Sequence, residues 1–172
     1  GFEAHDVVPD IVTMAKGIGN GAPLAAVVTT PEIAQHLSQR NHFNTFGGNP
    51  VSCAIGKAVL ETIEKENLQQ NCLEVGNYLM EGYQRLMERY DIIGDIRGKG
   101  MMTGVELVKD RTTKEPAAQE CVQIFERSKD MGLLIGKGGV YGNVLRIKPP
   151  YCLNKQDVDY IIEVLDIAFG EL

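Results

Sequence analysis

The stretch Val12-Thr13-Met14-Ala15-Lys16-Gly17-Ile18-Gly19-Asn20-Gly21-Ala22-Pro23-Leu24-Ala25-Ala26-Val27-Val28 decides how the rest of the chain is read. A short apolar run leads into one lysine. Glycines follow at positions 17, 19 and 21, and a second apolar run begins. Glycines this dense mark a backbone that needs positive φ or passes close to a ligand. Residues 9–15 and 24–30 are expected to be two short buried strands. Their runs are nearly continuous and carry the β-branched Ile11, Val12, Val27, Val28, Thr29 and Thr30. Lys16 then stands at a strand edge, where the backbone turns away and leaves space beside its amine. A solvated lysine ahead of a glycine hairpin fits the same residues.

Outward from that loop, Thr30-Pro31-Glu32 is a helix start, with threonine as cap and proline in the first turn. Ile33, Ala34 and Leu37 give that helix an apolar side. The segment His42-Phe43-Asn44-Thr45-Phe46-Gly47-Gly48-Asn49-Pro50 follows and directly precedes a long helical pattern. A loop of this kind can offer N–H groups and a hydroxyl to an anion. On the residues alone, a tight connection with Asn49-Pro50 as its turn is the plainer reading. Helical periodicity runs from Val51 to about Asn67 and again from Leu68 to Tyr90. The domain boundary is placed between these helices, giving domains 1–67 and 68–172.

The second part alternates. Ile92 to Gly100 reads as strand and turn, and Met101 to Val108 as a strand. Pro116 opens a helix closed by Gly132. Leu133-Leu134-Ile135 and Asn143-Val144-Leu145-Arg146-Ile147 read as strands around a glycine turn, and Asn154 caps a last helix. Helix, strand, helix, strand, helix predicts a small α+β layer with a sheet covered by helices.

With 44% hydrophobic and 23% charged residues, the 172 residues have the composition of a soluble globular protein. The net charge of −6 argues against nucleic acid or an anionic membrane surface as partner. No apolar run approaches the length of a membrane span. Cys53, Cys72, Cys121 and Cys152 show no C-x-x-C spacing, which fits free thiols in a reducing compartment and no metal site. Phe2-Glu3-Ala4-His5-Asp6 reads as the middle of something, and the chain is expected to be part of a longer one.

Four motifs in order resemble those of the class III aminotransferases, fold-type I enzymes that use pyridoxal 5′-phosphate. Met14-Ala15-Lys16-Gly17-Ile18-Gly19-Asn20-Gly21 resembles their cofactor-lysine segment, and Asn44-Thr45-Phe46-Gly47-Gly48-Asn49-Pro50 their phosphate loop. Gly94-Asp95-Ile96-Arg97-Gly98-Lys99-Gly100 with Gly104-Val105-Glu106-Leu107 resembles the entry to their small domain. Val144-Leu145-Arg146-Ile147-Lys148-Pro149-Pro150 resembles their substrate-carboxylate strand. Ala22 departs from the bulkier residue many members carry there.

The resemblance implies an α/β fold: the end of a large pyridoxal-phosphate domain followed by an α+β small C-terminal domain. It implies that the Lys16 amine condenses with the cofactor aldehyde and, once displaced, moves the substrate α-proton. Thr45 would bind the cofactor phosphate across a homodimer, and Arg146 would fork onto the substrate carboxylate. A surface ion pair is the other reading of Arg146. The implied substrates are small amino acids and 2-oxo acids, with alanine or a related amino acid as donor and glyoxylate as acceptor. A 4-aminobutyrate or acetylornithine type, or a phospho-lyase relative, shares these motifs. The implied location is mitochondrial. The family's acid for the pyridine nitrogen, its ring-stacking aromatic and its first phosphate-binding turn have no match here. The expectation is therefore the C-terminal portion of such an enzyme, which alone would be a folded dimerisation or binding module without turnover.

Overall fold

A computed structural model describes residues 1–172, which divide into two compact units, Gly1–Glu66 and Asn67–Leu172. In the first unit, β1 (Ile11–Met14) and β2 (Ala26–Thr29) pair antiparallel, from Ile11 opposite Thr29 to Met14 opposite Ala26. The Thr29 hydroxyl donates to the Asp10 carbonyl at 2.8 Å and closes the open end of the ribbon. Helix α1 (Pro31–Ser38) starts at Thr30, whose hydroxyl accepts from the Ile33 N–H, with Pro31 in the first turn. Helix α2 (Pro50–Lys65) starts at Asn49 in the same manner. The two strands form where the β-branched runs place them, but they are not buried. Ile11 is 53% and Val27 67% exposed, and α1 buries none of its residues. One face of the ribbon is partly covered, at Val12, Met14 and Ala26, and Ile11 and Val27 on the other lie open, since a two-stranded ribbon alone cannot bury its side chains. Gly19 and Gly56 are the unit's only buried residues.

The second unit has a core. Its elements are α3 (Leu68–Arg89), β3 (Ile93–Lys99), β4 (Met102–Leu107), α4 (Ala118–Asp130), β5 (Gly136–Gly138), β6 (Val144–Ile147) and α5 (Lys155–Gly170). The sheet runs β3-β4-β6-β5, antiparallel throughout. The apolar stripe of α3, Val75, Leu79, Tyr83 and Leu86, is buried, as are Val158, Ile161, Leu165 and Phe169 of α5. They pack with Ile93, Val105, Leu107, Leu145 and Ile147 of the sheet and Ile124 of α4. The Tyr83 hydroxyl lies 3.2 Å from the Thr103 hydroxyl, which donates to the Ile147 carbonyl at 3.1 Å. Burial pushes the Tyr83 phenol above its ordinary range.

Two boundaries differ from the sequence reading. Leu133-Leu134-Ile135 is not a strand; the strand facing β6 is Gly136–Gly138. Leu133 and Ile135 pack on the core from a loop while Leu134 is 80% exposed, so the apolar run marks a packing loop. Pro116 does not open α4. It bridges to Val108, and the helix begins at Ala118. Gly132, with φ +89, does end that helix. No helix is long and apolar enough to cross a membrane.

Candidate functional site

Lys16 is the first residue of a 3-10 turn, Lys16–Gly19, and not the last of a strand. Ala15 before it is extended, and Lys16 itself has φ +56. A left-handed backbone is uncommon for any residue with a Cβ and costs about 1–3 kcal/mol unless its surroundings impose it. The surroundings are visible. Asn20 N–H donates to the Gly17 carbonyl at 3.0 Å and Ala22 N–H to the Gly19 carbonyl at 2.9 Å. Leu24 then seats the turn on α2: a Cβ on Gly56 would stand 2.5 Å from Leu24 Cδ2, and one on Gly19 would stand 3.0 Å from Leu24 Cβ. Two glycines and a leucine thus fix the backbone beside Lys16. The lysine side chain is exposed, and the unit's one ion pair joins Lys57 to Glu61, leaving the Lys16 ammonium unpaired.

Thr45 lies in the turn between α1 and α2 and is exposed. The hydrogen bonds of this turn belong to its neighbours. Phe46 N–H donates to Asn44 Oδ1 at 3.2 Å, and Val51 and Ser52 N–H donate to Asn49 Oδ1 at 3.0 and 3.1 Å. Asn49 therefore occupies the first-turn donors of α2 that a sequence reading would offer to an anion. The Thr45 hydroxyl remains unengaged. Phe43 and Phe46 flank it and are 85% and 79% exposed.

Arg146 belongs to the second unit. It is the exposed residue of β6, while Val144, Leu145 and Ile147 are buried. Its strand is held at both ends. The buried Asn143 side chain donates to the Leu107 carbonyl at 2.8 Å, the Thr103 hydroxyl binds the Ile147 carbonyl, and Pro149-Pro150 follow. β6 is internal to the sheet, so Arg146 is not a strand-edge residue. The arginine ion pairs of this unit join Arg89 to Asp166, Arg97 to Asp95 and Glu106, Arg111 to Asp91 and Arg127 to Glu171. Arg146 is in none of them. It borders an open groove of about 490 Å³, together with Leu133, Leu134, Lys148, Pro149 and Tyr160.

Across the sheet Arg97, Gly104, Arg146 and Gly136 form one register row. Nothing in the spacing singled out Gly104 and Gly136, because pairing between strands so far apart is not written in local sequence. The cysteines are unpaired. Burial pushes the Cys121 thiol up to about 11, with Lys137 opposing, so it is no nucleophile at neutral pH.

The class-III aminotransferase family model matches residues 1–169, and the chain belongs to that family. Over 172 residues it is 59% identical to an Arabidopsis thaliana protein named alanine–glyoxylate aminotransferase 2 homolog 2, mitochondrial, covering all of this chain and 36% of that protein. It is 55% identical over 173 residues to the Homo sapiens protein named alanine–glyoxylate aminotransferase 2, mitochondrial, covering 99% of this chain and 34% of that one. The chain thus spans about a third of the length of these curated relatives. Among solved structures, an aminotransferase of Bacillus anthracis matches with TM-score 0.92 at 37% identity, over 99% of this chain and 41% of that one. A phospholyase from Arthrobacter in complex with phosphoethanolamine matches with TM-score 0.95 at 32% identity, over the same shares. An amine transaminase from an uncultivated Pseudomonas species, in a PLP-bound form, matches with TM-score 0.88 at 33% identity, over 98% of this chain and 40% of that one.

Proposed function

We propose that this chain is the C-terminal part of a pyridoxal-phosphate enzyme that moves an amino group from alanine or a related amino acid to glyoxylate. In this reading, residues 1–67 close the large cofactor domain and residues 68–172 are the small domain. The observation that carries it is 55–59% identity along the whole chain to proteins named for that reaction. The mitochondrial location in their names is proposed for this protein also.

The donor set fits the cofactor. A primary amine without an ion-pair partner at Lys16 suits an aldehyde, and a free hydroxyl at Thr45 suits a phosphate. When bound, pyridoxal phosphate supplies the carbonyl that takes up the amino group and the ring that draws electrons from the substrate α-carbon. Lys16 holds the cofactor through Nζ. Its freed Nζ would take the substrate α-proton and return it, as base and then acid. The strained turn at Lys16 fixes where that nitrogen starts. Thr45 donates its hydroxyl to the phosphate, in the neighbouring subunit's site of a homodimer. Arg146 pairs its two-pronged guanidinium with the α-carboxylate of amino donor and oxo acceptor in turn.

The test is a panel of amino donors against glyoxylate, using the protein at the relatives' full length. Alanine with glyoxylate is expected to yield pyruvate and glycine, and no turnover of that pair sinks the reading. The likeness to a phospholyase favours one further assay. Release of phosphate from phosphoethanolamine in place of transamination would move the chain to that branch of the family.

A further inference from the structure

Arg146 lies between two glycines of the adjoining strands, Gly104 of β4 and Gly136 of β5. The two flanks are not alike. A Cβ on Gly136 would stand 3.3 Å from Arg146 Nε, 3.4 Å from Arg146 Nη2 and 3.2 Å from the Arg146 carbonyl oxygen. A Cβ on Gly104 would meet Val144 Cγ1 at 3.3 Å and Leu145 O at 3.9 Å, and no atom of the guanidinium. The guanidinium therefore rests over the bare Cα of Gly136. No positive φ demands a glycine there. Two residues along, on the same face of the same strand, a Cβ on Gly138 would meet nothing within 4 Å.

Arg97, in the same row, shows the other way to fix an arginine. Asp95 and Glu106 hold it at 2.5 and 2.7 Å and occupy its charge. An acidic partner would do the same to Arg146 and compete with any carboxylate ligand. A slot without a side chain orients the guanidinium and leaves its charge free.

We propose that Gly136 is the positioning residue of Arg146: its missing side chain lays the guanidinium along β5, unpaired and ready for the carboxylate of an amino-acid or 2-oxo-acid substrate. This rests on the reading of Arg146 as carboxylate anchor. Gly136 touches no substrate itself. It restricts the rotamers of a long side chain, and so lowers the ordering cost of carboxylate binding.

The experiment is a mutant cycle in the full-length, cofactor-loaded enzyme. Gly136→Ala is expected to raise KM for both alanine and glyoxylate by at least about fivefold, with the cofactor absorbance unchanged. Gly138→Ala should stay within about twofold of the parent. In an Arg146→Ala background, Gly136→Ala should add nothing, because the guanidinium it displaces is gone. The proposal is overturned if Gly136→Ala leaves both KM values within about twofold while Arg146→Ala raises them. It is overturned equally if Gly136→Ala costs the same factor in both backgrounds, since the glycine then acts through the strand backbone, or if Gly138→Ala matches it. A Gly136→Ala enzyme that folds only when Arg146 is also shortened supports the contact; one that folds in neither background overturns it. If Arg146→Ala itself leaves both KM values unchanged, the anchor reading fails, and this inference with it.

Discussion

Lys16 and Arg146 are prepared for their proposed work by opposite means, one by backbone strain and the other by an empty flank. Lys16 sits at φ +56 because the hydrogen-bonded turn and the Leu24–Gly56 contact dictate it. Arg146 has an ordinary strand backbone and no ionic partner. Replacing Arg146 by Lys in the full-length enzyme keeps the charge but removes the fork. The expected loss is about 2–4 kcal/mol of transition-state stabilisation for donor and acceptor alike, read from kcat/KM. The absorbance of the bound cofactor should not change. Values of kcat/KM within about twofold of the parent for both substrates would show that Arg146 is no carboxylate anchor. At this scale the sequence was informative about residue types. A lysine among glycines, a hydroxyl in a glycine loop and an arginine before Lys148-Pro149-Pro150 could all be named in advance. That Arg146 lacks an acid while Arg97 also reaches Glu106 could not, since that pairing depends on cross-strand register; only Asp95, two residues from Arg97 on the same strand, is a local partner.

Caps were the most legible feature of the elements, because their chemistry is local. Thr30 and Asn154 each accept the N–H bonds that their sequence context predicts, and Asn49, read in the sequence as a turn residue, caps α2 in the same way. Asn154 and Asp157 form a reciprocal capping box on α5, so Asn154→Ala should cost about 1 kcal/mol. That would appear as a lower urea midpoint with an unchanged slope. Asp110 plays a similar part between β4 and α4. Its carboxylate accepts from Thr112 N–H at 3.0 Å and Thr113 N–H at 2.6 Å, and chiefly the Thr113 bonds hold its carboxyl below the ordinary range. A depressed carboxyl stabilises the fold above its unfolded pKa, and that contribution is lost as pH falls through the folded value. The Thr113 amide resonance should accordingly titrate in acid with a midpoint below that of an unfolded aspartate. Asp110→Asn should abolish the titration; a shift that persists in that variant would assign it to another group. The β5 boundary was less legible. Leu133-Leu134-Ile135 has the composition of a strand, but Gly136–Gly138 take the ladder because pairing with β6 fixes the register there.

At the scale of the whole molecule, every buried apolar side chain lies in Asn67–Leu172, while β1, β2 and α1 fully bury none of theirs. Local patterning placed the strands of the first unit correctly. It overstated their burial, because burial is supplied by partners that a short ribbon does not carry. Residues 67–172 produced alone should therefore give one cooperative urea transition with native-like near-ultraviolet dichroism, and residues 1–66 alone should give none. A cooperative transition from the shorter piece would mean that its apolar faces find each other in solution. The sheet order also sets a sequence of events in time. The β3–β4 and β5–β6 pairs are hairpins closed within a few residues, whereas β4 meets β6 only across the stretch that holds α4 and β5. Closing that longer loop costs more chain entropy than closing either hairpin, so the two hairpins are expected to form before they join. Asn143 and Thr103, the side chains that tie β6 to β4, thus act at the seam where the last search ends. Until they engage, Arg146 sits on a hairpin that has not yet found its place, and the proposed carboxylate anchor is expected to be among the last parts of this unit to form.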